Sequence, residues 1–182
     1  MNCGILSGSM LLDLSKIRTA HERYDSTYRP DAFSAEGDTF RVVEPVTLGF
    51  DIYKDRDQYH LVGTVATTLE LSCSRCLEPF RCPVDAHFDL RYQPHAVNTG
   101  EGEREIEADD LTTAFYENDE IELGQLMAEQ FYLSLPMKPL CTDACLGLCP
   151  VCGKNLNRDA CDCKRTWDDP RFAALREFRT NN

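Results

Sequence analysis

The run Tyr59-His-Leu-Val-Gly-Thr-Val-Ala-Thr-Thr-Leu-Glu-Leu-Ser-Cys73 decides the fold of this chain, because apolar or small residues occupy every second position of it. Alternation of this kind is typical of a β-strand with one buried face. The run is too long for a straight strand, so we expect it to bend, with Gly63 as the bending point. The fold should therefore be built on a sheet that contains this strand.

Two further alternating runs flank the long one. Residues 46–52 alternate upstream, and the polar residues 55–57 that follow suit a hairpin turn. Residues 84–92 alternate just as strictly downstream. Three consecutive strands with short connections predict an antiparallel sheet with one buried face.

One helix is predicted after the strands. Residues 123–135 carry apolar side chains at helical spacing, and Pro136 ends the pattern. We expect Met127 and Phe131 to contact the sheet from this helix. Residues 21–38, in contrast, are polar and rich in turn-forming residues, and predict no regular element.

The cysteines are concentrated near the C-terminal end, where six of the ten fall between Cys141 and Cys163. Within this stretch, Cys149-Pro-Val-Cys152-Gly has the form of a zinc knuckle, and Cys161 and Cys163 supply a second pair. Four thiolates close a tetrahedral shell around Zn²⁺, so the predicted role of the metal is structural. A disulfide framework and buried unbonded cysteines are the alternatives. The first ten residues lack the pattern of a secretory signal, so we expect a cytoplasmic protein with reduced thiols.

A second Cys-x-x-Cys, Cys73-Ser-Arg-Cys76, follows the longest strand. A redox pair should stand at the N-terminus of a helix, whose dipole lowers the thiol pKa, but here Glu-Pro and another strand follow. Two other interpretations stay open: half of a metal site, completed by Cys141 and Cys145, or a turn that binds no metal. The sequence does not choose between them.

We predict an α+β protein, with an antiparallel β-sheet domain, a packing helix and a small C-terminal zinc-ribbon-like cysteine module. An N-terminal segment covers residues 1–39, of which 1–9 are expected to be dispensable. The sheet domain covers residues 40–135. The cysteine module, with a short amphipathic helix near its end, covers residues 136–182.

The net charge of −12 argues against binding nucleic acid by charge alone, which needs clustered Lys and Arg. Ten acids lie between Glu101 and Glu122, with Arg104 as the one base among them. This segment is interpreted as a solvated loop or as a surface for a basic partner. The residues proposed for partner binding are its first glutamates and the bases around the knuckle: Glu101, Glu103, Glu105, Lys154, Arg158, Lys164 and Arg165.

Four motifs together resemble one protein family. They are Cys73-Ser-Arg-Cys-Leu-Glu-Pro-Phe80, Leu135-Pro-Met-Lys-Pro-Leu-Cys141, Cys145-Leu-Gly-Leu-Cys-Pro-Val-Cys-Gly-Lys-Asn-Leu-Asn157 and Asp169-Pro-Arg-Phe-Ala-Ala-Leu175. This combination is similar to the YceD family, the large ribosomal RNA subunit accumulation proteins. The resemblance implies a bacterial, non-enzymatic factor that supports normal levels of large-subunit ribosomal RNA, and in it zinc is a stabilising addition.

The predicted function is therefore binding during assembly of the large ribosomal subunit. A ribosomal or assembly protein is the first choice of partner, and ribosomal RNA is the second. We expect no membrane contact and no small-molecule substrate. Two rival classes remain: an enzyme, for which no catalytic constellation is found in the sequence, and a redox- or zinc-responsive regulatory protein that uses its Cys-x-x-Cys motifs.

Overall fold

The computed structural model describes residues 10–33, 39–94 and 113–163. Short 3₁₀ turns cover Leu14–Lys16 and Pro30–Phe33. The strands and the helix are β1 (Leu11–Asp13), β2 (His21–Tyr28), β3 (Phe40–Val42), β4 (Val46–Asp55), β5 (Gln58–Ser72), β6 (Pro79–Pro94), β7 (Thr113–Tyr116), β8 (Glu120–Glu122) and α1 (Leu123–Ser134).

The long alternating run forms β5, which is the centre of the main sheet. The strand order is β2-β4-β5-β6-β7. The antiparallel partner β6 follows β5 from Tyr59 to Ser72. On the other edge of β5, β4 pairs with its first part and β3 with its last residues, 69–71. The three strands that alternation predicted are all present.

The sequence predicts an antiparallel sheet, but the observed sheet also contains one parallel pair of strands. β7 pairs with β6 in parallel, from Arg91 opposite Thr113 to Pro94 opposite Tyr116. A parallel pair needs a long crossover connection, and residues 95–112 connect these two strands in the sequence. The class is therefore α+β, with a mostly antiparallel mixed sheet and one packed helix.

Gly63 lies where β4 and β5 approach each other closely. The pairing of β5 with both neighbours continues without interruption through this residue. A methyl group there would collide with the carbonyl oxygen of Gly49 and with Cβ of Phe50. Glycine is therefore required by the close approach of the backbone of β4, while the bend proposed at this position stays a prediction.

The prediction of no regular element from His21 is wrong for residues 21–28, which form β2. This strand pairs antiparallel with β4 along its whole length, so the main sheet extends into segment 1–39. Tyr24 stacks on Phe50 at a ring distance of 4.9 Å, and Tyr28 is buried. The alternation was hidden because Glu22 and Ser26 occupy the other inward positions of this edge strand.

The solvated-loop interpretation of residues 101–122 is wrong for its described part, which forms β7 and β8. Tyr116 is buried, and its hydroxyl donates to the carbonyl oxygen of Asp57 at 2.9 Å. Ile121 is buried as well, and β8 pairs with β1. Apolar residues between the acids therefore attach this part to the core, while residues 101–112 lie outside the described residues.

The helix forms where the sequence predicted it, and α1 ends one residue earlier than expected, at Ser134. It contacts β6 and covers the buried face of the sheet. Met127 and Phe131 are fully buried, as predicted for core contacts. The ring of Phe131 lies 5.7 Å from that of Phe33 and 6.0 Å from that of Phe40. Among the described residues, no helix is long and apolar enough to cross a membrane.

Candidate metal centre and acidic groove

The first Cys-x-x-Cys forms a tight turn at the tip of the β5–β6 hairpin. The backbone N–H of Leu77 donates to the carbonyl oxygen of Cys73 at 2.9 Å, and the N–H of Cys73 donates to that of Glu78 at 2.9 Å. Leu77 has a φ of 60°, which is uncommon for a residue with a side chain. The turn points the Cys73 and Cys76 thiols to one place.

The second Cys-x-x-Cys repeats this turn. The N–H of Gly153 donates to the carbonyl oxygen of Cys149 at 2.9 Å, and the N–H of Cys149 donates to that of Lys154 at 2.8 Å. Gly153 takes the left-handed position with a φ of 73°. Both motifs thus have the same hydrogen bonds at the same offsets, with glycine in one and leucine in the other at the strained position.

The fold gathers eight cysteines into two groups of four. The thiol sulfurs in each group all lie within 4.8 Å of one another. We call Cys73, Cys76, Cys141 and Cys145 the hairpin site, and Cys149, Cys152, Cys161 and Cys163 the C-terminal site. The second set is the one that the sequence predicted as a zinc site, and the first is the shared set that the sequence left open.

Distances in the hairpin site fit a tetrahedral thiolate shell. The sulfurs of Cys73 and Cys145 are 3.8 Å apart, and those of Cys76 and Cys141 are 3.7 Å apart. Tetrahedral coordination with a Zn–S distance of about 2.3 Å places two ligand sulfurs about 3.8 Å apart. A disulfide would need about 2.05 Å. The donor set therefore fits a soft divalent ion such as Zn²⁺, and the described cysteines form no disulfides.

The two sites differ in burial. Cys73 and Cys145 are 0% and 3% exposed, and Phe80 and Leu140 pack against them. In the C-terminal site, Cys149 is buried while Cys152 is exposed to solvent. The hairpin site is thus the better enclosed of the two.

Backbone N–H groups stabilise the ionised form of at least one thiol in each site. The N–H of Cys76 lowers the pKa of Cys73 to about 6. The N–H groups of Cys152 and Val151 lower the pKa of Cys149 to about 6. The neighbouring thiol of Cys152 raises the pKa of Cys163 to about 12. Ionised thiols this close to one another repel each other. A divalent cation offsets that repulsion, so the arrangement favours metal binding over four free thiolates.

The basic residues proposed for partner binding are placed only in part. Lys154 and Arg158 lie in the loop between the two ligand pairs of the C-terminal site. Arg158 forms an ion pair with Glu78 at 3.0 Å, so part of its charge is compensated. The other proposed residues lie outside the described ranges: Glu101, Glu103, Glu105, Lys164 and Arg165.

Sequence reasoning missed a groove between β7, β8 and α1, which we call the acidic groove. It has a volume of about 360 Å³, and of the described residues that line it none is basic. Leu11 and Phe115 are 44% and 41% exposed at its wall. Its acids are Glu117, Glu120, Glu122 and Glu129. The sequence showed three of these acids as part of the acidic segment, but only the fold brings Glu129 of the helix beside them.

The family model described as large ribosomal RNA subunit accumulation protein YceD matches residues 61–179. A chloroplast protein of Arabidopsis thaliana, named large ribosomal RNA subunit accumulation protein YCED homolog 1, is 27% identical over 156 residues, which cover 74% of this chain and 49% of that protein. The homolog 1 of Zea mays is 27% identical over 143 residues, covering 66% of this chain and 49% of that protein.

Bacterial relatives match as well. An uncharacterized protein of Mycobacterium tuberculosis is 32% identical over 118 residues, covering 65% of this chain and 54% of that protein. The chain thus spans about half the length of the curated relatives it matches. No solved structure matches it.

Proposed function

The chain belongs to the YceD family of large ribosomal RNA subunit accumulation proteins, and from this we propose that it supports the accumulation of large-subunit ribosomal RNA by binding a basic ribosomal or assembly protein. Family membership supports the role in ribosomal RNA accumulation. The acidic groove is the observation that carries the choice of partner. The proposed place of action is the compartment in which ribosomes assemble, which is the cytoplasm for a bacterial protein.

The acidic groove suits an extended basic segment. Glu117 and Glu120 line it beside Glu129, with no described basic residue among them. Phe115 and Leu11 add exposed apolar surface against which the stems of Lys and Arg side chains can pack. Charge complementarity of this kind raises the association rate and selects basic partners over acidic ones.

Ribosomal RNA is the weaker choice of direct partner. Phosphate binding needs clustered cations, but the chain has a net charge of −12. On the described part of the cysteine module, Arg158 is already paired with Glu78. The charge of a four-thiolate zinc shell is negative overall, which further weakens phosphate binding there.

Zinc is proposed as a structural ion in both sites. Four thiolate ligands leave no open position for water or substrate, so the chemistry that the ion supplies is cross-linking of the chain. Cys141 and Cys145 would tie the module to the tip of the β5–β6 hairpin, and the C-terminal site would close the module on itself. We therefore propose a binding factor and no enzymatic activity.

The test of this function is complementation in a bacterium that lacks its own copy of the gene. The variant E117Q/E120Q removes two charges from the groove, and D31N/D85N removes two charges elsewhere as the matched control. We expect the control to restore the ratio of large- to small-subunit ribosomal RNA and the groove variant to fail. Affinity purification should recover a basic protein with the wild type and the control only.

Two outcomes would contradict the proposal at different levels. Full complementation by the groove variant would refute the docking surface and leave the family role standing. A deletion strain with a normal ribosomal RNA ratio and normal subunit profiles in the cold would refute the role in ribosomal RNA accumulation itself.

A zinc- or redox-responsive regulatory protein is the second candidate, and the exposure of Cys152 favours it. An oxidant could reach this thiol without prior unfolding, and its loss from the shell would open the C-terminal site. The mark of this function would be rapid labelling of Cys152 by a thiol probe in the zinc-loaded protein, together with a change in ribosomal RNA level after oxidant treatment. Slow labelling would count against it.

A further inference from the structure

The loop between the ligand pairs of the C-terminal site forms one wall of the hairpin site. Asn157, in this loop, donates from its Nδ2 to the sulfur of Cys145 at 3.3 Å. Its Oδ1 accepts from the backbone N–H of Leu146, the next residue, at 2.8 Å. The side-chain amide of Asn157 therefore bonds through its nitrogen to a ligand sulfur of the hairpin site and through its oxygen to the backbone directly after that ligand.

A second side chain of the loop holds Asn157 and reaches the hairpin. The Oδ1 of Asn155 accepts from the backbone N–H of Asn157 at 3.0 Å and from its Nδ2 at 2.9 Å. The Nδ2 of Asn155 donates to Glu78 at 3.4 Å, and Arg158 pairs with the same carboxylate at 3.0 Å. Glu78 directly follows the hairpin turn, so the loop is fastened to both halves of the hairpin site.

Backbone contacts join the same surfaces. The N–H of Leu148 donates to the carbonyl oxygen of Arg75 at 3.1 Å, and that of Leu156 donates to Gly147 at 2.9 Å. The guanidinium of Arg75 donates to the carbonyl oxygen of Cys145 at 2.8 Å. The bonds of Leu148 and Arg75 hold residues 145–148 on the hairpin, and the bond of Leu156 holds the loop on residue 147. The loop is therefore attached to the hairpin through residues 145–148 as well as through Glu78.

From these contacts we propose that the two four-cysteine sites bind their zinc ions cooperatively, with Asn157 as the positioning residue that couples them. Ligation by the C-terminal site orders residues 153–160, because its ligand pairs lie on either side of this loop. An ordered loop holds the amide of Asn157 on the Cys145 thiolate, which hydrogen bonding stabilises. Coupling between two equilibria is reciprocal, so occupation of the hairpin site must also strengthen binding at the C-terminal site.

Repulsion between two negatively charged thiolate shells opposes this coupling. Arg75 and Arg158 lie at the junction of the two sites and offset part of the repulsion. Hydrogen bonds from outer residues change metal affinity by about 10- to 100-fold. We therefore expect the two ions to bind together about 10- to 100-fold more tightly than the product of the separate sites.

The experiment compares the wild type with one-site variants. C161S/C163S removes the C-terminal site, and C141S/C145S removes the hairpin site. Zinc affinity is measured by competition with a chromophoric chelator, and native mass spectrometry counts the bound ions. Each remaining site should bind about 10- to 100-fold more weakly than it does beside its occupied neighbour, by the same factor in both directions. Equal affinities with and without the neighbour would overturn the proposal.

Asn157 is tested by a double-mutant cycle. N157A should weaken zinc binding at the hairpin site, and so reduce the cooperativity, when both sites are intact. In the C161S/C163S background, where the loop is no longer ordered, N157A should leave the zinc affinity of the hairpin site unchanged. A160S, which changes an exposed side chain of the same loop without changing its charge, is the matched control and should keep the cooperativity. An equal effect of N157A in both backgrounds would show a direct role at Cys145 and overturn the coupling role.

This inference depends on the proposed zinc binding and not on the role in ribosomal RNA accumulation. A wild-type protein that carries no metal after purification with a reductant would refute zinc binding and the coupling together. Loss of complementation in the cell would leave both standing, because the chelator measurement does not depend on any partner.

Discussion

Two glycines of the cysteine module allow two energetic contributions to be separated: the cost of a left-handed backbone and the packing of the module on the hairpin. Gly147 and Gly153 have nearly the same backbone angle, with φ of 76° and 73°. A Cβ on Gly153 would meet no atom within 4 Å, whereas one on Gly147 would lie 3.0 Å from the carbonyl oxygen of Arg75. Gly153→Ala therefore tests the backbone angle alone, and Gly147→Ala tests the angle together with the contact.

The expected magnitudes follow from this difference. A left-handed backbone costs a residue with a side chain about 1–2 kcal/mol. Alanine restricts the unfolded chain, which returns roughly 0.4–1 kcal/mol of folding free energy. Gly153→Ala should therefore destabilise the folded module by about 1 kcal/mol. Gly147→Ala should lose about 1 kcal/mol more, because the shift weakens the hydrogen bond from Leu148 to Arg75. These losses correspond to about 5-fold and about 30-fold easier metal release.

The assay is the chelator concentration that removes half of the bound zinc at neutral pH. Thermal unfolding of the sheet, followed by circular dichroism, is the internal control and should be the same for both variants and the wild type. If Gly147→Ala released zinc no more easily than Gly153→Ala, the close contact between Gly147 and Arg75 would be refuted as a source of module stability.

Three further predictions concern the sheet and its attachment to the module. Chelation should abolish the hydrogen-exchange protection of residues 146–157 while the far-ultraviolet circular dichroism of the sheet persists, because the main core does not include the cysteines of the two sites. Loss of the β signal at the same chelator concentration would contradict this separation. Gly63→Ala should destabilise the sheet by about 3 kcal/mol, because its Cβ would meet backbone atoms of β4. Gly49→Ala should cost under about 1 kcal/mol, because the nearest atoms, 2.7 Å and 2.9 Å away, are the ends of the exposed side chains of Asp25 and Arg23, which can shift. Equal melting temperatures of the two variants would count against the close approach. Tyr116→Phe should cost about 1 kcal/mol in denaturant unfolding through the lost hydrogen bond to Asp57, and an unchanged midpoint would show that this bond contributes nothing.

Local sequence patterns predict much of the secondary structure. The strands β4, β5 and β6 follow from a period of two, because each has one face in the core and the next strand begins after a short connection. The helix follows from a period near four and from Pro136. Where a strand lies at an edge and carries polar residues at inward positions, as β2 does with Glu22 and Ser26, the period is lost and the sequence gives no signal.

The candidate metal sites show the same division between local and distant information. Cys149-Pro-Val-Cys152-Gly is a local turn, so its knuckle form could be read directly, and the structure shows the same turn at Cys73. The hairpin site joins Cys73 to Cys145, which is 72 residues away, and sequence spacing carries no information about a contact that two folded units make.

Within each segment, the sequence by itself determined the elements whose periodicity or turn chemistry is local: three strands, one helix and the knuckle turn of Cys149–Cys152. Only the tertiary structure decided that Cys73 and Cys76 share a site with Cys141 and Cys145, where Glu129 meets the acids of β7 and β8, and that Asn157 reaches Cys145. The physical reason is that these contacts form between side chains on separate elements, whose relative positions are set by packing of the whole core rather than by any neighbouring residue.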